Sequence, residues 1–314
     1  MNSSLEHIPY EAVCSPEKIS YKQFRSTLTP LYSKVWFHIS AGYVLLSCPF
    51  IIAVFIKQIT LQWWLTPLWA IWFGYFLAYL HLFVHEAAHF NIHPDKKQND
   101  RLANIFLCVL FALDMKSYRS IHWQHHLHLA APDDKEVSYF NALTFIFLLK
   151  VLSGFHTLHI VLNRRKSNIQ KEKSKKGQLL RFVLAQTLFC SLAYITGNIP
   201  LLLSWLAGLF IVFPFLATLR QILEHRDESA SNQPEYYSIQ RHTISRLFGR
   251  DIISRTFGGA GFNRHILHHW DPQISYTRLN DVLMFLRQSE TTKDIIARSR
   301  TSYLKTFRNL FYIK

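Results

Sequence analysis

Residues 182–219, FVLAQTLFCSLAYITGNIPLLLSWLAGLFIVFPFLATL, run for 38 positions between Arg181 and Arg220 without a charged side chain. A helix needs about 20 apolar residues to cross the hydrocarbon core of a bilayer, so this stretch accommodates two crossings. Its middle, Thr196-Gly197-Asn198-Ile199-Pro200, carries the residues that end helices and turn chains. The expectation is a helical hairpin with spans over about 180–197 and 200–219. The same lack of charge recurs between Lys34 and Lys57 and between Lys57 and Glu86. Each of those intervals fits one crossing, about 35–56 and 63–84.

Composition agrees once its two halves are separated. The 314-residue chain is 49% hydrophobic yet carries a formal charge of +15, a combination that suits a membrane protein with its charge outside the spans. Four span-length segments within these three uncharged stretches are too many for the buried helices of a soluble protein of this size. The fold class expected is therefore all-α and integral to the membrane: four transmembrane helices in two hairpins, plus interfacial helices and a cytoplasmic helical cap. The polar start, MNSSLEHIPYEAVCSPEKIS, has no apolar core of a cleavable signal. Cys14, Cys48, Cys108 and Cys190 are scattered and expected to be free thiols.

Charge orients the spans. The loop 163–176, NRRKSNIQKEKSKK, holds seven Lys or Arg, against one and none in the two turns. By the positive-inside rule that loop is cytoplasmic and the turns lie outside. Topology and attraction to anionic headgroups then account for the basic balance, and no module for nucleic acid is visible. Residues 102–113 are too short to span, and 139–162 carry Lys150 in mid-segment. Both read as interfacial helices, with Asn99-Asp100 as the N-cap of the first. A single domain over 1–314 results, its cytoplasmic cap drawn from 85–176 and 220–314.

That cap collects histidine. Of 17 in the chain, His85 and His89 end the second span, HWQHH supplies His122, His125 and His126, and HILHH supplies His265, His268 and His269. Positions i, i+3 and i+4 share a helix face, so each cluster aims its rings one way, and neutral imidazole is the commonest metal ligand. His85-Glu86-x-x-His89 is also the zinc-protease signature, with Glu86 as general base. One zinc takes about four ligands, so eight imidazoles on one side of a membrane suggest two metals. Glu86 then reads as an acceptor for an imidazole N–H.

These boxes resemble those of the membrane fatty acid desaturase and hydroxylase superfamily: His-x-x-x-His, His-x-x-His-His and a second His-x-x-His-His, over about His85 to Leu279. NRHILHHWDPQISYTRL, residues 263–279, is similar to the third box with its His-His-x-x-Pro continuation. LRQILEH, residues 219–225, looks like an additional element that brings a ninth histidine, His225, with Gln221 on the same face. The resemblance implies two Fe ions held by histidine, O2 as co-substrate, and a lipid or acyl-thioester substrate that is desaturated. It implies His85, His89, His122, His125, His126, His225, His265, His268 and His269 as ligands, with Gln221 beside one metal. Glu86, Glu224 and Asp271 read from their own positions as further residues around the site, Glu224 equally as a helix-end ion pair with Arg220 and Asp271 equally as a turn residue before Pro272. No haem-binding His-Pro-Gly-Gly is present, so electrons are expected from a separate donor of ferredoxin, rubredoxin or cytochrome b5 type. His265 opens the third box where many front-end desaturases have glutamine.

Spans two and four, with Pro214 as a kink, are the expected walls of an acyl tunnel. His81 and His93 read as neighbours of the ligands or as structural, His128 as pointing away from the second box, and His156 and His159 as interfacial, while His7, His38 and His242 carry no signal; the segment after 280 reads as amphipathic helices covering the site. Three rivals remain open: a hydroxylase or ketolase acting on a lipid, sphingoid base or carotenoid with the same metal site, an intramembrane zinc protease, and a metal carrier or sensor.

Overall fold

The computed structural model describes residues 5–129, 134, 141, 143–156, 159, 174–227 and 245–311. Most of the polybasic loop 163–176, much of the interfacial segment expected over 139–162, and His242 lie outside the described residues. Thirteen α-helices are described, and no strand is.

Three helices are long and apolar enough to cross a membrane: Tyr32–Phe55, Ile59–Ala88 and Gly177–His225. Before them, α1 (Tyr21–Ser26) is a short turn closed by a capping box between Ser20 and Gln23. In α2 (Tyr32–Phe55) the buried positions Val35, Ile39, Gly42, Leu46, Phe50 and Ala53 recur at helical spacing and face α3 (Ile59–Ala88). Gly42 sets the separation of the pair, since a Cβ there would sit 2.8 Å from Leu80 Cδ2. The α2–α3 turn is closed by Gln62, whose Nε2 donates to the Ile56 carbonyl at 2.7 Å. At 30 residues α3 is about 45 Å long, longer than the expected 63–84 at both ends, and it carries His85 past the apolar stretch.

The third apolar stretch comprises α7 (Ser174–Ala207), a π-helical turn at Gly208–Val212 and α8 (Phe213–His225). It is not straight. Gly197 and Asn198 depart from helical geometry, Asn198 at φ 53° and ψ −154°. Trp205, fully buried, stacks on Phe189 with centroids 4.4 Å apart and donates to Gln186 Oε1 at 3.1 Å. In an unbroken helix Phe189 and Trp205 would be about 24 Å apart, so the chain reverses where TGNIP marks a turn. Elsewhere on these helices large apolar side chains face outward, Trp64 and Ile195 at 78% and 79% exposure. Such surface suits hydrocarbon rather than water.

The expected tunnel walls are instead in close contact along part of their length. A Cβ on Gly74 would lie 2.4 Å from Val212 Cβ, and one on Gly208 2.7 Å from Phe73 Cβ. At that level α3 and the π-helical turn leave no room for a chain between them. Pro214 directly follows the π-helical turn, inside a continuous helical stretch and not at a free helix start.

Below the apolar bundle lie the short helices. The segment expected as one helix over 102–113 is α4 (Lys96–Phe106) followed by a 3-10 turn at Cys108–Phe111. Its cap is Asp95, which accepts from the Gln98 N–H at 2.8 Å, not Asn99-Asp100. Asn99 sits inside the helix and ties it to α3, donating to the Ala87 carbonyl at 2.9 Å. α5 (Met115–Leu127) carries the second histidine box, and α6 (Phe145–Leu152) buries Phe147 and Val151 while exposing Phe145 and Ile146. The cap continues with α9 (Ile252–Thr256), α10 (His265–Trp270), α11 (Leu279–Gln288), α12 (Lys293–Arg298) and α13 (Tyr303–Phe311). The four cysteines are free.

Candidate metal centre

Each histidine box is placed by contacts remote in sequence. α3 ends at Ala88 with His89 as its C-cap, and its last carbonyls are satisfied by Arg119 of α5. The Arg119 guanidinium donates to Ala88 O at 2.7 Å and Ala87 O at 3.0 Å while pairing with Asp100. A cation at a helix C-terminus offsets the partial negative charge there. Because Arg119 stands one turn before His122, the same contact sets the register of the second box against the first. The third box is held from the N-terminal segment: Tyr10 Oη donates to the Trp270 carbonyl at 2.8 Å, and Trp270 Nε1 to Ile8 O at 2.9 Å.

The rings of all nine expected histidines converge. Ligand-capable atoms of His85, His89, His122, His126 and His268 lie within 4.8 Å of one another, and so do those of His125, His225 and His269. His265 joins the second group, its Nε2 2.8 Å from that of His225 and 3.1 Å from that of His269. In the first group Nε2 atoms face each other at 2.9 Å (His89 and His122), 3.0 Å (His122 and His126) and 3.1 Å (His126 and His268). The groups adjoin, with the His126 and His269 rings 4.7 Å apart.

Neutral imidazoles can share an N–H across such a pair, and the same convergence of nitrogens can hold a cation. Burial, then repulsion from neighbouring imidazoles, holds His89, His126, His265 and His269 well below their ordinary pKa. Their lone pairs are therefore free of protons near neutral pH. Among the described residues, buried His85 has no hydrogen-bond partner for either ring nitrogen, which is uncommon for a buried polar group. A borderline transition-metal cation fits this donor set, nitrogen throughout.

The expected surrounding residues divide. Glu86 accepts from the Tyr276 N–H at 3.3 Å and the Ser275 hydroxyl at 3.5 Å. It binds the chain after the third box and, among the described residues, takes no imidazole hydrogen bond. Asp271 is occupied by Arg25, at 2.6 and 3.1 Å, and by the Tyr21 hydroxyl at 3.0 Å. It fixes the N-terminal segment to α10 rather than orienting a ring. Glu224 lies closer to the cluster: its Oε2 is 4.0 Å from His265 Nε2, and its Oε1 accepts from Tyr303 Oη at 3.1 Å. Gln221 is half-buried one turn before His225.

One partner has no sequence signal. Asp134, 2% exposed, places its carboxylate 2.9 Å from His125 Nδ1. Phe262 is another, with its ring 4.5 Å from that of His85 and 5.3 Å from that of His265, beneath the Arg220 guanidinium. Five further described histidines make other contacts. His81 packs edge-on against Phe111 at 5.0 Å, His93 accepts from the Asp95 N–H at 3.0 Å, and His38 Nδ1 meets Tyr276 Oη at 2.8 Å. His128 caps α5, and His156 lies 5.1 Å from Phe147.

A family model described as fatty acid desaturase matches residues 61–291. The chain belongs to the fatty acid desaturase family. The match takes in all nine clustered histidines and the apolar stretches from 61 onward. Desaturase-family membership makes this chain an oxidoreductase-type protein of the membrane desaturase and hydroxylase superfamily, with fatty acids as its substrate class. A search of curated proteins returned no match to this desaturase-family chain.

Proposed function

We propose that the chain is an O2-dependent desaturase of fatty acyl chains with a histidine-held pair of irons. The observation that carries this reading is the convergence of nine imidazoles, remote in sequence, into two adjoining groups. His85, His89, His122, His126 and His268 would hold one iron, and His125, His225, His265 and His269 the other. Iron bound there supplies the activation of O2 and the removal of hydrogen from an unactivated methylene.

The protein's own residues prepare that site. The Asp134 carboxylate accepts from His125 Nδ1–H and so fixes the tautomer, leaving Nε2 for the metal. Leu82, Phe83, Val84, Ala87 and Ala88, all fully buried, keep water from the end of α3. Glu86 and Arg119 lock the ends of the boxes to one another, and Glu224 with Gln221 borders the second iron. Electrons come from a separate soluble or membrane-bound donor. Glu86, engaged with Ser275 and Tyr276, is badly placed to serve as a protease base.

Four crossings within one domain complete the reading. Unbroken, the 49-residue stretch Gly177–His225 would measure about 73 Å, more than twice a hydrocarbon core of about 30 Å. Its reversal at Gly197–Asn198 divides it into two spans. With two hairpins, 85–136 and 220–314 share the side of the basic loop 163–176, the cytoplasm.

Expression in a host without the activity, with lipid profiling beside a His125→Ala control, tests the proposal. New lipids lacking two hydrogens, absent with the control, are expected. Gain of an oxygen atom instead would make the chain a hydroxylase or ketolase on the same site. Unchanged lipids together with one zinc per chain would remove the proposal.

A further inference from the structure

Two cavities open on the cap away from the imidazole cluster, of about 460 and 710 Å³. They share Arg250, Asn263 and Arg264 and so abut along the turn that leads into the third box. The first is also lined by Arg287 and Arg300, and the second by Lys34, Arg255 and Arg278. Against these seven cations the described lining residues offer one carboxylate, Asp281, already 3.3 Å from Arg278. Arg250 and Arg264 are drawn together by a neutral group: the Asn280 Oδ1 accepts from both, at 2.6 and 3.3 Å. Burial, then repulsion from Arg300 and Arg250, lowers Arg287 from its ordinary pKa.

Cations crowded around a concavity without matching carboxylates are destabilising unless an anion joins them. The donors suggest which anion. Guanidinium forks converging on a few hundred cubic ångströms match tetrahedral phosphate oxygens, several of which accept at once. The second cavity reaches Leu31, Lys34 and His38 at the start of α2. Beside it Phe37, Ile252 and Ile253 point apolar side chains outward, so its mouth adjoins surface suited to lipid.

We propose that the joined cavities ringed by Arg250, Arg264, Arg287 and Arg300 form a binding site for the phosphate of a phosphate ester. The shared chemistry admits a phospholipid headgroup from the cytoplasmic leaflet or a soluble ester such as a coenzyme A phosphate. The site stands apart from the imidazoles and does not require bound iron.

The test uses the full chain in phosphatidylcholine nanodiscs, with inorganic pyrophosphate, coenzyme A and discs doped with phosphatidic acid as probes. R287Q/R300Q removes two guanidiniums from the rim, and K305Q/R308Q on α13 removes the same charge elsewhere. Loss of charge-assisted contacts is expected to weaken probe binding about tenfold or more in R287Q/R300Q, and less than about twofold in K305Q/R308Q. Coenzyme A binding that tracks the rim variant assigns the soluble source, and phosphatidic acid binding that does so assigns the lipid. Should R287Q/R300Q not fold, R300Q alone, at an exposed position, reads the same difference. Equal weakening in both charge variants would reduce the site to diffuse surface charge and overturn the proposal. So would wild-type protein that binds no probe.

Discussion

His125 and Asp134 show what a single side chain contributes. A carboxylate on the far nitrogen of a metal-binding imidazole fixes its orientation, and losing it typically costs about 10–100-fold in metal affinity. Asp134→Asn should therefore leave the fold intact while lowering iron content toward one per chain, measured by elemental analysis of purified protein. Two full irons in that variant would deny Asp134 the role. The imidazoles also tie stability to pH. His89, His126, His265 and His269 have folded pKa values well below the ordinary 6.5. Below about pH 6.5 the unfolded chain then binds more protons than the folded one, so stability falls as pH falls through that range. The melting temperature of metal-free protein should be level from about pH 8 to 7 and decline toward about pH 5; a flat profile would contradict neutral burial. The histidines were legible because i, i+3 and i+4 spacing occurs twice, beside an i, i+4 pair at His85 and His89. Asp134 was not, since a carboxylate nine positions past its partner, beyond the end of α5, follows no helical period.

Among the elements, the junction of α3 with α5 and the break in α7 differ in how each was written in the sequence. TGNIP announces its break locally, through residues that tolerate unusual backbone geometry. Asn198 at φ 53° and ψ −154° occupies a region that suits glycine, and such strain costs on the order of 1–3 kcal/mol. Asn198→Gly should raise the melting temperature in detergent and Asn198→Val should lower it; the reverse order would mean that the asparagine side chain holds the turn. By contrast, α3 stops at His89 because Arg119, 30 residues on, takes its terminal carbonyls, and no local pattern reports that. Arg119→Leu abandons Asp100 and the carbonyls together, at a cost of about 3 kcal/mol. Adding Asp100→Asn should recover the charge component but not the lost carbonyl bonds. Thermal melts of the two variants separate the contributions, and identical melts would show that the carbonyl contacts dominate. The misplaced cap of α4 has a similar origin: Asn99 was read as a local cap, whereas its amide bonds to Ala87 on another helix.

For the whole molecule, the arrangement of spans decides whether the site can exist. Imidazoles from residues 85–126 and 225–269 meet only if the intervening chain crosses the membrane an even number of times. The sequence indicated this through charge: no ionic side chain over 182–219, and seven basic ones in 163–176. Packing detail was beyond it, because a direct approach such as Gly74 on Val212 depends on which helix lies opposite. Single-cysteine labelling in sealed vesicles tests the even count. In a background with Cys14, Cys48, Cys108 and Cys190 replaced by serine, cysteines at Lys57 and Asn198 should react with an impermeant maleimide from outside. Cysteines at Ser174 and Ser302 should react only after the membrane is opened. If Asn198 were instead protected while Ser302 reacted from outside, 177–225 would cross once, and His225 and His265 would lie across the membrane from His85. The 2.8 Å approach of His225 to His265 would survive that result, being on one side of the break. The approach of His268 to His126, at 3.1 Å, would not, and it is the contact that brings the second and third boxes into one group of imidazoles.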